Sequence, residues 1–125
     1  MKNINYLLNN LNKSKFRSSF KLSEKDKAII KQKGIETMKQ HAIEILEKRI
    51  RNKLSNDGKQ TPLKGYPIFI AQHATATCCR KCINKWYKIP ENKMLSNEEI
   101  EFLSNMIIEW IKQQIRMWDI NPKLE

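Results

Sequence analysis

In the stretch "LSNEEIEFLSNMIIEWI" (residues 95–111) apolar side chains return every three or four positions, at Ile100, Leu103, Ile107, Trp110 and Ile111. That period puts them on one face of a helix and leaves the opposite face polar. The helix start is written just ahead of them. Ser96 can accept from the backbone of Glu99, Glu99 can answer toward Ser96, and Leu95 with Ile100 can form a hydrophobic staple. Pro122 forbids continuation. A long helix with one apolar face has to be covered by other elements, and the rest of the chain offers helices to cover it.

"LSEKD" opens another helix, with Ser23 as cap and Asp26 at the third helical position, and Gly34 closes it. A further helix is expected from about Ile35 to Leu54, with Ile35, Met38, Ala42, Ile45, Leu46 and Ile50 as its core stripe. "SNDGKQTPLKGYP" (55–67) is a breaker-rich connection, long for a loop within a domain and of the kind that often carries function. Beyond it, Phe69, His73, Ala76, Cys79, Ile83 and Trp86 keep helical spacing, while the threonines suggest a break. Two short helices, about 67–75 and 78–88, are therefore expected, with Thr77 capping the second. Residues 1–20 hold an apolar patch at Tyr6, Leu7, Leu8 and Leu11 and read as a short helix or a loose arm.

With 125 residues the chain fits one domain. The expected fold is all-α: a compact single domain of four or five helices over residues 21–120, with a long Gly/Pro-containing loop before a Cys/His segment and a tail at 121–125.

No window is apolar enough for a transmembrane helix, and asparagines interrupt any leader-like core at the N-terminus. The expected compartment is the cytoplasm, where cysteines stay reduced. The net charge of +11 lies in the first two thirds of the chain, and residues 91–125 are net acidic. Such polarity suits an anionic partner such as nucleic acid, with Lys59, Arg80, Lys81, Lys85 and Lys88 as contacts. The abundance of Lys, Asn and Ile offers a plainer reading, a compositional bias that writes lysine wherever a solvated charge will do. A protein partner or self-association remains open beside it. Lys59, Gln60 and Thr61 lack the glycine spacing of a phosphate cradle and read better as a turn.

"AQHATATCCRKC" (71–82) holds all three cysteines. A break at Thr75–Thr77 lets His73 fold back toward Cys78, Cys79 and Cys82, giving a set of zinc-type ligands. His41 could complete the site from a neighbouring helix, although such a histidine is more often a half-buried surface residue. The count falls short of a four-cysteine iron–sulfur cluster. The same atoms permit a thiol-redox site, since Cys79 and Cys82 have redox spacing and Arg80 would favour a thiolate. They also permit a structural or adaptor protein whose cysteines are small core residues and whose histidine is simply hydrogen-bonded. Trp86, Trp110 and Phe102 read as core, and Trp118 as an exposed partner contact. No Ser/His/Asp order or paired acidic motif appears. Asp57 and Glu91, which flank the segment, are its nearest carboxylates, so acid–base catalysis has little support.

"DGKQTPLKGYPIFIAQHATATCCRKCINKWYKIP", with "SKFRSSFKLSEKD" before it and "LSNEEIEFLSNMIIEWI" after, resembles the domain-of-unknown-function 4186 family over about residues 14–112. The resemblance implies a small single-domain protein and brings no activity with it. The family pattern often has histidine where this chain has Tyr66 and Tyr87, which leaves His73 and the cysteines as the candidate site.

Overall fold

A computed structural model describes residues 3–120, and every regular element among them is helical. The order is α1 (Ile4–Asn12), α2 (Lys15–Ser18), α3 (Glu24–Lys33), α4 (Ile35–Ile45, prolonged by a π-helical turn at Leu46–Ile50), α5 (Pro67–Ala74), α6 (Arg80–Tyr87) and α7 (Asn97–Ile120). Among the described residues seven helices replace the four or five expected, because the first twenty residues form two short ones. α1 is capped by Asn3, buries Leu7, Leu8 and Leu11, and packs on α2 and α7. Pro122 and the 121–125 tail lie outside the described residues. No described helix is long and apolar enough to cross a membrane.

α7 is the spine. Ser96 and Glu99 exchange backbone and side-chain bonds at 3.0 and 2.8 Å, as their spacing predicts. Leu95, Leu103, Met106, Ile107 and Ile111 are fully buried, and α1, α4 and α5 pack against this helix. Trp110 is buried in the same core, with Trp86 and Phe102 packed at its margin. Trp118 is not the exposed contact expected. It is half-buried against the core, and the Lys27 ammonium lies 5.0 Å from its ring centre.

The Ser23–Asp26 capping box closes in both directions, and Gly34 separates α3 from α4 at φ 87°, a conformation that a side chain would strain. α4 lays Met38, Ala42, Leu46 and Ile50 into the core. It stops at Ile50 rather than near Leu54. Its last turn widens so that Arg51 N–H donates to Leu46, and Arg51 then bonds Leu95 through both its carbonyl and its guanidinium. These tertiary bonds outweigh continued helix.

α5 is buried on nearly every side: Ile68, Ile70, Ala71, Gln72, His73 and Ala74 are all inaccessible or nearly so. A helix without a polar face belongs in an interior, and α5 contacts α2, α3, α4 and α7. Its far end delivers the cysteines.

Candidate metal centre

Two threonines end α5 by bonding backwards. Thr75 Oγ1 donates to the Ala71 carbonyl at 2.7 Å, Thr77 N–H donates to the Gln72 carbonyl at 2.9 Å, and the two hydroxyls meet at 3.1 Å. Between them Ala76 adopts φ 59°, an uncommon turn for a residue with a β-carbon, and is fully buried. Thr77 turns its hydroxyl back to donate to Thr75 and does not cap the next helix. That role falls to Cys79, whose Sγ accepts the Cys82 N–H at 3.4 Å, so α6 begins at Arg80 instead of residue 78. Asp57, from the long loop, takes the free N–H groups of Arg80 and Lys81 at 3.0 and 3.2 Å. A carboxylate at that end is also favoured by the helix dipole.

The result is a tight group of sulfurs. The Sγ atoms of Cys78, Cys79 and Cys82 all lie within 4.8 Å of one another, and this is the only such convergence of His, Cys, Asp or Glu among the described residues. Cys78 and Cys79 are buried, and Cys82 is partly open to solvent. Three sulfurs so placed can hold a metal ion.

Arg17 completes the group. α2 is only four residues long, capped by Ser14, and its Arg17 side chain runs inward until 8% of the residue stays exposed. Nη2 donates to Cys82 Sγ at 3.2 Å, while Nη1 donates to the His73 carbonyl at 2.8 Å and reaches Cys78 Sγ at 3.7 Å. The Phe16 ring lies 5.0 Å from the guanidinium carbon. Of the three thiols, Cys82 is the one whose ionised form the surroundings favour. Hydrogen bonds from the Cys78 and Cys79 thiols, then Arg17, pull its pKa far below the usual thiol range. Cys78 is pushed up by donating to Cys79 and Cys82 and by burial. Cys79 also ends up raised: accepting from Cys78 works against this, but donation to Cys82 and burial prevail. Beside them, burial raises the Tyr87 phenol, which donates to the Thr75 carbonyl.

The expected convergence of His73 with the sulfurs does not occur. Its Nε2 bonds the carbonyls of Thr61 and Pro62 at 3.2 and 3.1 Å. Carbonyls only accept, so Nε2 carries the hydrogen, and the ring stacks on Phe20 at 5.2 Å. His73 therefore fastens the long loop and lies outside the sulfur group. Thr61 ties the same loop to the cluster by donating to the Cys78 carbonyl at 2.8 Å. His41 also lies outside the group, its Nδ1 paired with the Tyr66 hydroxyl.

Arg80 is not a surface anion contact either. It is fully buried, and its guanidinium donates to the carbonyls of Arg51, Pro90 and Lys93 at 2.8, 2.6 and 3.0 Å. The cation beside the sulfurs is Arg17, some sixty residues earlier. Sequence spacing gives no sign of it; the one trace is a lone arginine within an otherwise lysine-rich opening. Lys59, Lys81, Lys85 and Lys88 are exposed. Gln60 and Thr61 are buried and bonded within the protein, as a turn requires.

The profile of the family described as "Domain of unknown function (DUF4186)" matches residues 5–112. The chain belongs to that family. The match begins within α1 and runs deep into α7, so the domain-of-unknown-function 4186 unit contains Arg17, the 55–67 loop and all three cysteines. No solved structure matches this chain.

Proposed function

We propose that this member of the family is a small metal-binding module that holds an ion of the zinc type on Cys78, Cys79 and Cys82. The observation that carries the reading is the convergence of three sulfurs within 4.8 Å. Thiolates are soft ligands and select zinc and its relatives over magnesium or calcium. Three protein ligands leave one tetrahedral position for water or a further ligand. His73, held by the loop carbonyls, does not occupy it.

Loading the reduced full-length protein with cobalt(II) tests this. One equivalent should give an intense sulfur-to-cobalt absorption that zinc abolishes, and Cys82→Ala should remove the band. Protection of the thiols from alkylation should follow loading and disappear with a chelator. A thiol-redox reading is favoured by the Arg17–Cys82 contact at 3.2 Å, because a paired thiolate is a ready nucleophile. Fast alkylation that neither cobalt nor zinc slows would replace the metal reading with that one.

The module presents a basic face to an anionic partner, of which nucleic acid is the chief candidate. Lys81, Lys85 and Lys88 stand exposed on and just beyond α6, and Lys59 on the loop that caps it. Binding to a mixed-sequence duplex should weaken steeply with salt, because each neutralised phosphate releases counterions. Reversing Lys81, Lys85 and Lys88 to glutamate should flatten that salt slope by about one for each phosphate no longer neutralised. An unchanged slope removes these lysines from the interface.

A further inference from the structure

We infer that Arg17 matches this site to a divalent ion, its guanidinium supplying the single positive charge that such an ion leaves unbalanced among three thiolates. The inference rests on the metal-binding reading above and names the class of ion that the site selects.

Three deprotonated cysteines carry three negative charges. A divalent ion leaves one of them, a monovalent ion leaves two, and a trivalent metalloid leaves none. Cys78 and Cys79 are 6% and 4% exposed, and residual charge in so dry a place is costly unless paired. Among the described residues the cation in contact with the sulfurs is Arg17. Arg80 follows Cys79 directly, yet its guanidinium is committed to three carbonyls elsewhere, and Lys81 points to solvent. The ring N–H of His73 faces the loop carbonyls.

Arginine suits this role because its charge is permanent and its fork is planar. One side of the fork spans Cys78 Sγ and the His73 carbonyl, and the other reaches Cys82 Sγ. The His73 carbonyl fixes the position of the fork, and the Phe16 ring covers it. A sulfur that binds a metal retains lone pairs, so these hydrogen bonds can persist beside the ion. Contacts of that kind set the affinity of a metal site almost as strongly as the ligands do. Permanent charge at a fixed distance thus favours the ion that makes the ensemble neutral.

The test compares cadmium(II) with arsenite on the reduced full-length protein, as wild type, Arg17→Gln and Arg17→Lys. Cadmium binding is read by its sulfur charge-transfer absorption. Arsenous acid exchanges its three hydroxyls for three thiols, releases three waters and leaves a neutral adduct, scored by mass and by loss of free thiol. Arg17→Gln should weaken cadmium binding by about 10–100-fold while leaving arsenite binding nearly unchanged, so that the ratio of the two shifts by the same factor. Arg17→Lys retains the charge and should retain most of the preference. Equal weakening of both ions, or no shift in the ratio, overturns the inference. Should the glutamine variant fail to fold, the lysine variant decides: loss of the cadmium preference there overturns it too. A wild-type protein that shows no cadmium–sulfur absorption would instead defeat the metal reading itself.

Discussion

Replacing Arg80 with methionine is expected to lower the unfolding free energy by about 3–5 kcal/mol and the melting temperature by roughly 10 °C or more. Arg80 is fully buried, and its two terminal nitrogens bond three carbonyls belonging to Arg51, Pro90 and Lys93. Those carbonyls come from the end of α4 and from the segment leading to α7, so one side chain pins α6 between two otherwise irregular connections. Methionine preserves much of the bulk and leaves the acceptors without their donor. Each charge-assisted bond is worth about 1.5–3 kcal/mol, and three on one group add up to less than their sum. Urea unfolding of the metal-free protein measures the loss. A change under about 1 kcal/mol, typical of an ordinary surface substitution, would show that solvent or a neighbouring side chain replaces the guanidinium.

The pH dependence of metal loading is the second large effect. Before loading, the Cys82 thiol is pulled down toward the thiolate while Cys78 and Cys79 are pushed up toward the protonated form, and the expected free state carries two protons on the three sulfurs. Ligation requires all three sulfurs as thiolates, so binding expels two protons. Affinity must then rise with pH, by about a hundredfold per unit between roughly pH 6 and pH 8, and fall by the same factor on acidification. Zinc titrations against a competing chelator across that range give the slope directly. A slope of three would mean that Cys82 is an ordinary thiol in the free protein. A slope near zero would mean that the sulfurs do not bind the ion.

The helices with both a cap and a stripe were legible from the sequence. Ser96 and Glu99, and Ser23 and Asp26, close where their spacing puts them, because the bonds are local and need nothing from the rest of the fold. The break after α5 was legible as a break but not in its register. Thr77 and Cys79 are both plausible caps; Thr77 turns back to Thr75, two residues before it, and the cap falls to Cys79. The three cysteines announced themselves by proximity in the chain. The two long basic side chains did not: Arg80 adjoins the sulfurs in sequence and turns away, while Arg17 arrives from a four-residue helix with no periodic pattern of its own. Sequence proximity points His73 at the sulfurs, because the 55–67 loop, formless in sequence, gives no sign of the two carbonyls that take its ring.

The π turn at Leu46–Ile50 fixes a rotational phase. One residue advances an α-helix by about 100°, so a turn that takes in an extra residue resets the direction of everything after it. The first group to inherit that setting is the carbonyl of Arg51, which receives Leu95 N–H at 3.0 Å and the Arg80 guanidinium at 2.8 Å. Take one residue out of the turn and that carbonyl swings about a quarter of the way round the axis, losing the start of α7 and the anchor of the cysteine helix together. The irregular turn is the timing mark by which two distant parts of the chain are brought into step.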